Sequence, residues 1–234
     1  MPSATAYKLL EACREPGCPV CRLEQRGVER YLDNQFYENV NSPKWRDQLR
    51  ASHGFCHEHA WLGVSRRLGD ALGFSIIYRD ILTSVLSQLS GGTSPVPVPR
   101  RASKPLSLRE LIGNMLIAFT SRKRCPACEH LDKVTRNILS ELAKDLENAE
   151  MTDALQASDG LCLPHLRLAL DHVKSVSICE KLLAIHREKL ERLQNELGEF
   201  IRKNDYQLIR EGFGREGDAW LRAISIIAGS RKEK

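Results

Sequence analysis

Ala157-Ser158-Asp159-Gly160-Leu161-Cys162-Leu163-Pro164-His165 repeats the outline of Ala51-Ser52-His53-Gly54-Phe55-Cys56-His57-Glu58-His59, and both reduce to Ala-Ser-x-Gly-apolar-Cys-x-x-His. Upstream of each stands a second pair of matching segments, Cys18-Pro19-Val20-Cys21 and Cys125-Pro126-Ala127-Cys128. The interval from Cys21 to Cys56 differs by one residue from that between Cys128 and Cys162. Two unlike motifs in the same order at almost the same interval read as an internal duplication.

The period inside each half is helical. Leu131, Val134, Ile138, Leu142 and Leu146 follow one another at steps of three and four, the stripe of an amphipathic helix. After Pro164 no glycine or proline occurs until Gly198, and Leu183, His186, Leu190, Leu193, Leu197 and Phe200 suggest a long helix with one apolar side. Such a seam can join two copies of the chain, and packing within one bundle is the commoner use. No segment alternates as a strand does, so the expected class is all-α, a duplicated helical bundle. Ser90 to Pro99 is rich in glycine, serine and proline and reads as a linker. The expected organisation is repeat one over 1–89, a linker over 90–105, repeat two with the long helix over 106–197, and a turn and helix over 198–234.

The cysteines decide the chemistry. Neither the first fifteen residues nor any later stretch has an apolar run suited to a signal sequence or a membrane span, so the reading places the chain in the cytoplasm. Thiols stay reduced there, and eight cysteines, six of them in Cys-x-x-Cys or Cys-x-x-His pairs, point to metal in preference to disulfides. Side chains three positions apart at a helix start reach one ion together, and zinc in a structural site takes four such ligands. Proline within each Cys-Pro-x-Cys suits the first helical position, where no amide hydrogen is required. Exposed amides at a helix start also favour thiolate over thiol.

A ligand needed twice should have a counterpart in both halves. That rule removes His57 (matched by Leu163), His53 (Asp159), Cys13 (Thr120) and Cys179 (Gly73). His130, His172 and His186 lie in helical stretches and read as structural. The expected sites are Cys18, Cys21, Cys56 and His59 for repeat one, and Cys125, Cys128, Cys162 and His165 for repeat two. Each repeat is thereby pinned by a closed Cys3His cage. The expected cofactor is zinc, two ions, with an iron–sulfur cluster as the less favoured occupant. A cage with four protein ligands keeps no open position for water, and no acid–base constellation is left over, so the favoured role is structural.

These residues resemble an uncharacterised prokaryotic family catalogued as domain of unknown function 6062. The resemblance spans essentially the whole chain. It includes both Cys-Pro-x-Cys pairs, Gly54 to Trp61, Gly69 to Gly73, Gly160 to Leu166, Glu199 to Tyr206 and Glu216 to Trp220. It implies no substrate. Gly212 to Asp218 is a glycine-rich turn without the spacing of a phosphate loop, and Asp218 is expected to cap a last helix through Trp220, Leu221, Ile224 and Ile227.

The functional expectation is a zinc-binding scaffold for another protein or a small ligand, the alternative being a thiol redox or iron–sulfur protein using the Cys-Pro-x-Cys pairs. A net charge of +5 from 35 basic and 30 acidic residues, largely interspersed, argues against a nucleic-acid partner.

Overall fold

The computed structural model describes residues 3–89, 107–109, 112, 113, 116, 120, 123–205 and 211–230. Ten α-helices are assigned among them: α1 (Ala4–Cys13), α2 (Pro19–Glu38), α3 (Pro43–Ala51), α4 (His57–Ser65), α5 (Ala71–Leu89), α6 (Pro126–Asp145), α7 (Ala149–Ala157), α8 (Leu163–Leu170), α9 (Val176–Lys203) and α10 (Ala219–Ala228). A 3-10 turn, Arg215–Asp218, precedes α10. No strand occurs among the described residues, so the protein is all-α. None of the described helices is long and apolar enough to cross a membrane. The expected linker and the Arg231–Lys234 tail lie outside the described residues.

Helix lengths follow the same order in the two halves. α2 and α6 have 20 residues each, α3 and α7 nine each, and α4 and α8 nine and eight. Compactness follows another rule. Among the described residues, one unit comprises those of 1–27 and 133–230, and the other those of 28–132, so the boundaries fall inside α2 and α6.

In the first unit, α1 packs on α7, and α10 packs on α8 and α9. Leu9, Leu142, Leu146, Leu155, Leu161 and Leu182 are at most 1% exposed and form its core. Full burial of one such side chain stabilises by about 1.5–3 kcal/mol. The expected stripe of α6 is confirmed here, since Ile138, Leu142 and Leu146 all point into this core. The stripe of α9 is rotated from expectation. Ile178, Leu182, Ile185, His186, Lys189 and Leu193 are buried, whereas Leu183 is exposed. Polar Lys189 enters the stripe because its stem packs on Gly160 while its ammonium group reaches the carbonyls of Gln156 and Ser158 at 2.8 and 2.5 Å.

The second unit is built on aromatic packing. Phe36 stacks on Phe74 at 4.1 Å and meets the edge of Trp45 at 5.7 Å, over a floor of Leu32, Leu49, Ile77 and Ile81. Gly69, at φ +87°, lies so close to Phe36 that a β-carbon there would stand 2.5 Å from the Phe36 Cβ.

Candidate metal centres

The repeated Ala-Ser-x-Gly-apolar-Cys segment is a helix stop followed by a helix start. In the second unit, Ser52 Oγ donates to the Leu49 and Gly54 carbonyls at 3.3 and 2.8 Å, and Gly54 at φ +90° donates its amide to Leu49 O at 2.7 Å. In the first, Ser158 Oγ donates to Leu155 O at 2.8 Å and accepts from the Gly160 amide at 3.0 Å, with Gly160 at φ +80°. The next residue anchors the turn in a core, Phe55 in one unit and Leu161 in the other. Cys56 and Cys162 then stand as the N-cap residues of α4 and α8. Their carbonyls accept the first helical bonds, from Ala60 at 2.9 Å and Leu166 at 2.8 Å.

Cys18 and Cys125 play the same part at α2 and α6, accepting from Arg22 at 3.2 Å and Glu129 at 3.1 Å. Each Cys-x-x-Cys or Cys-x-x-His pair therefore occupies the first turn of a helix. There the unpaired amides and the positive end of the helix dipole lower the cost of a thiolate.

Within the first unit, α2 and α8 bring Cys18, Cys21, Cys162 and His165 together, with every ligand atom within 4.8 Å of the others. Cys21 Sγ lies 3.7 Å from Cys162 Sγ, and His165 Nδ1 lies 3.5, 3.3 and 3.1 Å from the sulfurs of Cys18, Cys21 and Cys162. The far ring nitrogen, Nε2, donates to Glu24 Oε1 at 2.9 Å, and the Thr135 hydroxyl donates to the same carboxylate oxygen. With its proton held on Nε2, the imidazole offers the Nδ1 lone pair inward.

Within the second unit, α4 and α6 assemble Cys56, His59, Cys125 and Cys128 under the same limit of 4.8 Å. Cys56 Sγ and Cys128 Sγ are 3.6 Å apart, and His59 Nδ1 stands 3.2, 3.8 and 3.3 Å from Cys56, Cys125 and Cys128. His59 is 1% exposed, which is deep burial for an imidazole.

The distances fit a single tetrahedral ion. With Zn–S near 2.3 Å and Zn–N near 2.0–2.1 Å, the edges of a regular tetrahedron come to about 3.8 Å between sulfurs and about 3.6 Å between sulfur and nitrogen. The side chains are therefore spaced for one cation per cluster, three sulfurs and one imidazole around each. The thiols also carry the electrostatic mark of crowding. Hydrogen bonds with Cys162 and Cys18 hold the Cys21 thiol far below its ordinary range. Bonds to Cys162 and Cys21, with burial, push Cys18 upward. Burial, then the neighbouring Cys125 and Cys56, pushes Cys128 up to about 12. Burial pulls His165 down, but its bonds to Cys18, Cys21 and Glu24 win and push it up to about 12. A bound dication would replace the protons that Cys18, Cys128 and His165 otherwise retain.

The eight expected ligand residues thus fall into two groups of four, but the expected partition is incorrect. Cys18 and Cys21 meet Cys162 and His165, not Cys56 and His59. The reason is reach. α2 carries the chain about 30 Å from its first turn, whereas the nine residues of α3 return it by only about 13 Å. The Gly54 bond to Leu49 then folds the chain back onto the end of α3 before Cys56, so no extended segment makes up the difference. α6 and α7 have the same lengths and meet the same limit.

The remaining candidates fall outside both clusters. His57 is exposed near Trp61, and His53 sits in the turn at φ +52°. His130 stacks on Tyr31 at 4.3 Å. Cys13 is a core thiol that burial pushes up to about 11. His186 accepts from the Leu161 amide at 2.8 Å and shares its other nitrogen with Leu182 O at 2.7 Å, so it braces the turn before Cys162. Asp218 is the N-cap residue of α10 as expected, yet its side chain makes no capping bond and takes Arg222 at 2.8 Å instead. Trp220, Leu221, Ile224 and Ile227 are 47–58% exposed.

Glu24 is the site residue that the sequence reading passed over. A rule that retains residues present in both halves discards it, because the matching position holds Leu131. The signal available was its place one helical turn beyond Cys21, on the same face.

Helix pairs that present two Cys3His clusters from their first turns define the class of protein. The chain belongs to the Family of unknown function (DUF6062), which it matches over residues 8–234. It is 26% identical over 227 residues to the "Uncharacterized 23.9 kDa protein in xynA 3'region" of Caldicellulosiruptor sp. (strain Rt8B.4), covering 95% of this chain and 100% of that protein. No solved structure matches the chain.

Proposed function

We propose that this is a zinc protein with two structural Cys3His sites, a non-catalytic helical scaffold whose partner is a protein or a small ligand. The observation that carries the reading is the closeness of four protein ligand atoms in each cluster, all within 4.8 Å, with the Cys21–Cys162 and Cys56–Cys128 sulfurs 3.7 and 3.6 Å apart. A mononuclear ion suits four ligand atoms that all lie within 4.8 Å of one another better than an iron–sulfur cluster, whose protein ligands are divided among separate irons. Three thiolates with one imidazole favour zinc among the mononuclear choices. Each ion would tie together helix starts distant in sequence, which supports a role in holding the fold. An origin by duplication agrees with the matching helix order, and a cytoplasmic location with the reduced cysteines. The long helix α9, with Leu183 and Leu190 lining an open groove, is where a second copy of the chain would dock.

Elemental analysis of anaerobically purified protein tests the proposal. Two equivalents of zinc, with a large loss of helicity or melting temperature on chelation, support it. Copurified iron and inorganic sulfide, or a chelated protein that melts unchanged, overturn it. The thiol redox alternative draws on the partial exposure of Cys21 and Cys128, one thiol of each Cys-Pro-x-Cys pair. It predicts a disulfide within such a pair, Cys125–Cys128, on mild oxidation, two thiols giving up two electrons and two protons to the oxidant, with loss of the second cluster's metal.

A further inference from the structure

The last described residues of the chain lie against the first cluster. Gly229 adopts φ +94°, and a β-carbon on it would make ordinary van der Waals contact with Cys21 Sγ at 3.7 Å and Cys162 Sγ at 3.9 Å, so the segment runs beside both thiols. The following residue is tied in place, since Ser230 Oγ accepts the Cys18 amide at 3.1 Å. The landing point is shaped for it. Gly17 adopts φ +89°, a β-carbon there would press on Ser230 Oγ at 2.9 Å, and its amide donates to Asp159 Oδ2 at 2.7 Å. Both glycines take the left-handed conformation, and at Gly17 the close approach of Ser230 leaves no room for a side chain.

This strap is the exit of α10, which packs on α8 and α9, and α8 begins at Cys162. At the second cluster, the position matching Gly17 holds Arg124, whose exposed side chain pairs with Asp132. A backbone cannot settle there in the same way.

We propose that the Gly229–Ser230 segment covers the first metal site, so that its ion leaves only when α10 lifts, and loss of that ion frees α10 with its Trp220, Leu221, Ile224 and Ile227 stripe. The proposal rests on the reading of the clusters as metal sites. Its coupling is reciprocal: whatever lifts α10 must also weaken metal binding at Cys18, Cys21, Cys162 and His165. A partner that takes the apolar stripe by displacing the helix would thereby unload one ion of the two.

The test uses full-length, zinc-loaded protein and a chromogenic chelator. Release is expected in two phases of one equivalent each. Ser230→Ala, which leaves the thiols and helices untouched, should accelerate only the slow phase, by about fivefold for one lost hydrogen bond. Cys162→Ser removes the first site and Cys56→Ser the second. Amide hydrogen exchange over residues 219–228 should rise by about tenfold in Cys162→Ser and stay unchanged in Cys56→Ser. Equal release rates in wild type and Ser230→Ala, or unaltered exchange in Cys162→Ser protein that has lost one equivalent, overturn the cover while leaving the metal reading intact. Wild-type protein that takes up no zinc overturns both.

Discussion

His165 Nε2 donates to Glu24 Oε1 at 2.9 Å, joining a cluster residue on α8 to a carboxylate on α2 that lies 141 positions earlier in the chain. Glu24 holds the ring by its outer nitrogen, and Thr135 holds Glu24. The inward nitrogen is thereby kept as an acceptor. Glu24→Leu should lower zinc affinity at the first site by about 10–100-fold and leave the second site unchanged. Competition titration with a chelator of known affinity measures both sites together. Equal weakening of the two sites, or of neither, would remove Glu24 from this role.

The exchange of ligand pairs has a stoichiometric signature. Cys18→Ser and Cys162→Ser should each lose about one zinc, and the double variant still about one, because both residues serve one ion. Cys18→Ser with Cys56→Ser should lose about two. A cage confined to one half of the sequence predicts the reverse pattern, and elemental analysis of the four proteins decides between them.

Two glycines should respond to alanine with opposite signs. Gly160 combines φ +80° with a β-carbon position 2.8 Å from Lys189 Cδ, and Lys189 is held by its bonds to Gln156 and Ser158. Gly160→Ala should therefore destabilise by about 2 kcal/mol. Gly198 lies inside α9 with nothing within 4 Å of its β-carbon position. Gly198→Ala should stabilise by about 0.5–1 kcal/mol. Urea unfolding of the zinc-loaded proteins measures each difference.

His186 gives the fold an acid sensitivity of its own. Burial lowers its pKa below the ordinary value of 6.5. In the folded state it remains neutral because Nε2 must accept the Leu161 amide. The unfolded chain then binds more protons than the folded one at acidic pH, so this contribution is fully present above 6.5 and is lost as pH falls below it. His186→Gln can both accept and donate without titrating. Its unfolding free energy should fall less steeply than that of wild type between pH 7 and pH 5.5. Parallel pH profiles would assign the acid response to the metal ligands alone.

Much of the architecture was readable in order along the chain. The stripe from Leu131 to Leu146 marked α6 because helical periodicity is a local property. Proline after the first cysteine marked the starts of α2 and α6 for the same reason. The stripe of α9 was misread by part of a turn, since leucine spacing alone favoured Leu183. Charge does not mark Lys189 as a core residue, yet its stem is buried and its ammonium group bonds to carbonyls. On α10, an apolar face over Trp220 to Ile227 was legible, but its exposure was not, because burial belongs to the surroundings and not to the helix.

What the linear order of residues determined by itself is the helical class, the first-turn placement of each Cys-x-x-Cys or Cys-x-x-His pair, and the ligand chemistry those pairs offer. These follow from backbone preferences and side-chain type within a few neighbouring residues. Which pair meets which was decided only in three dimensions. A twenty-residue helix followed by a nine-residue return leaves Cys56 short of Cys18, and the pair that completes each cluster arrives from the distant half of the chain.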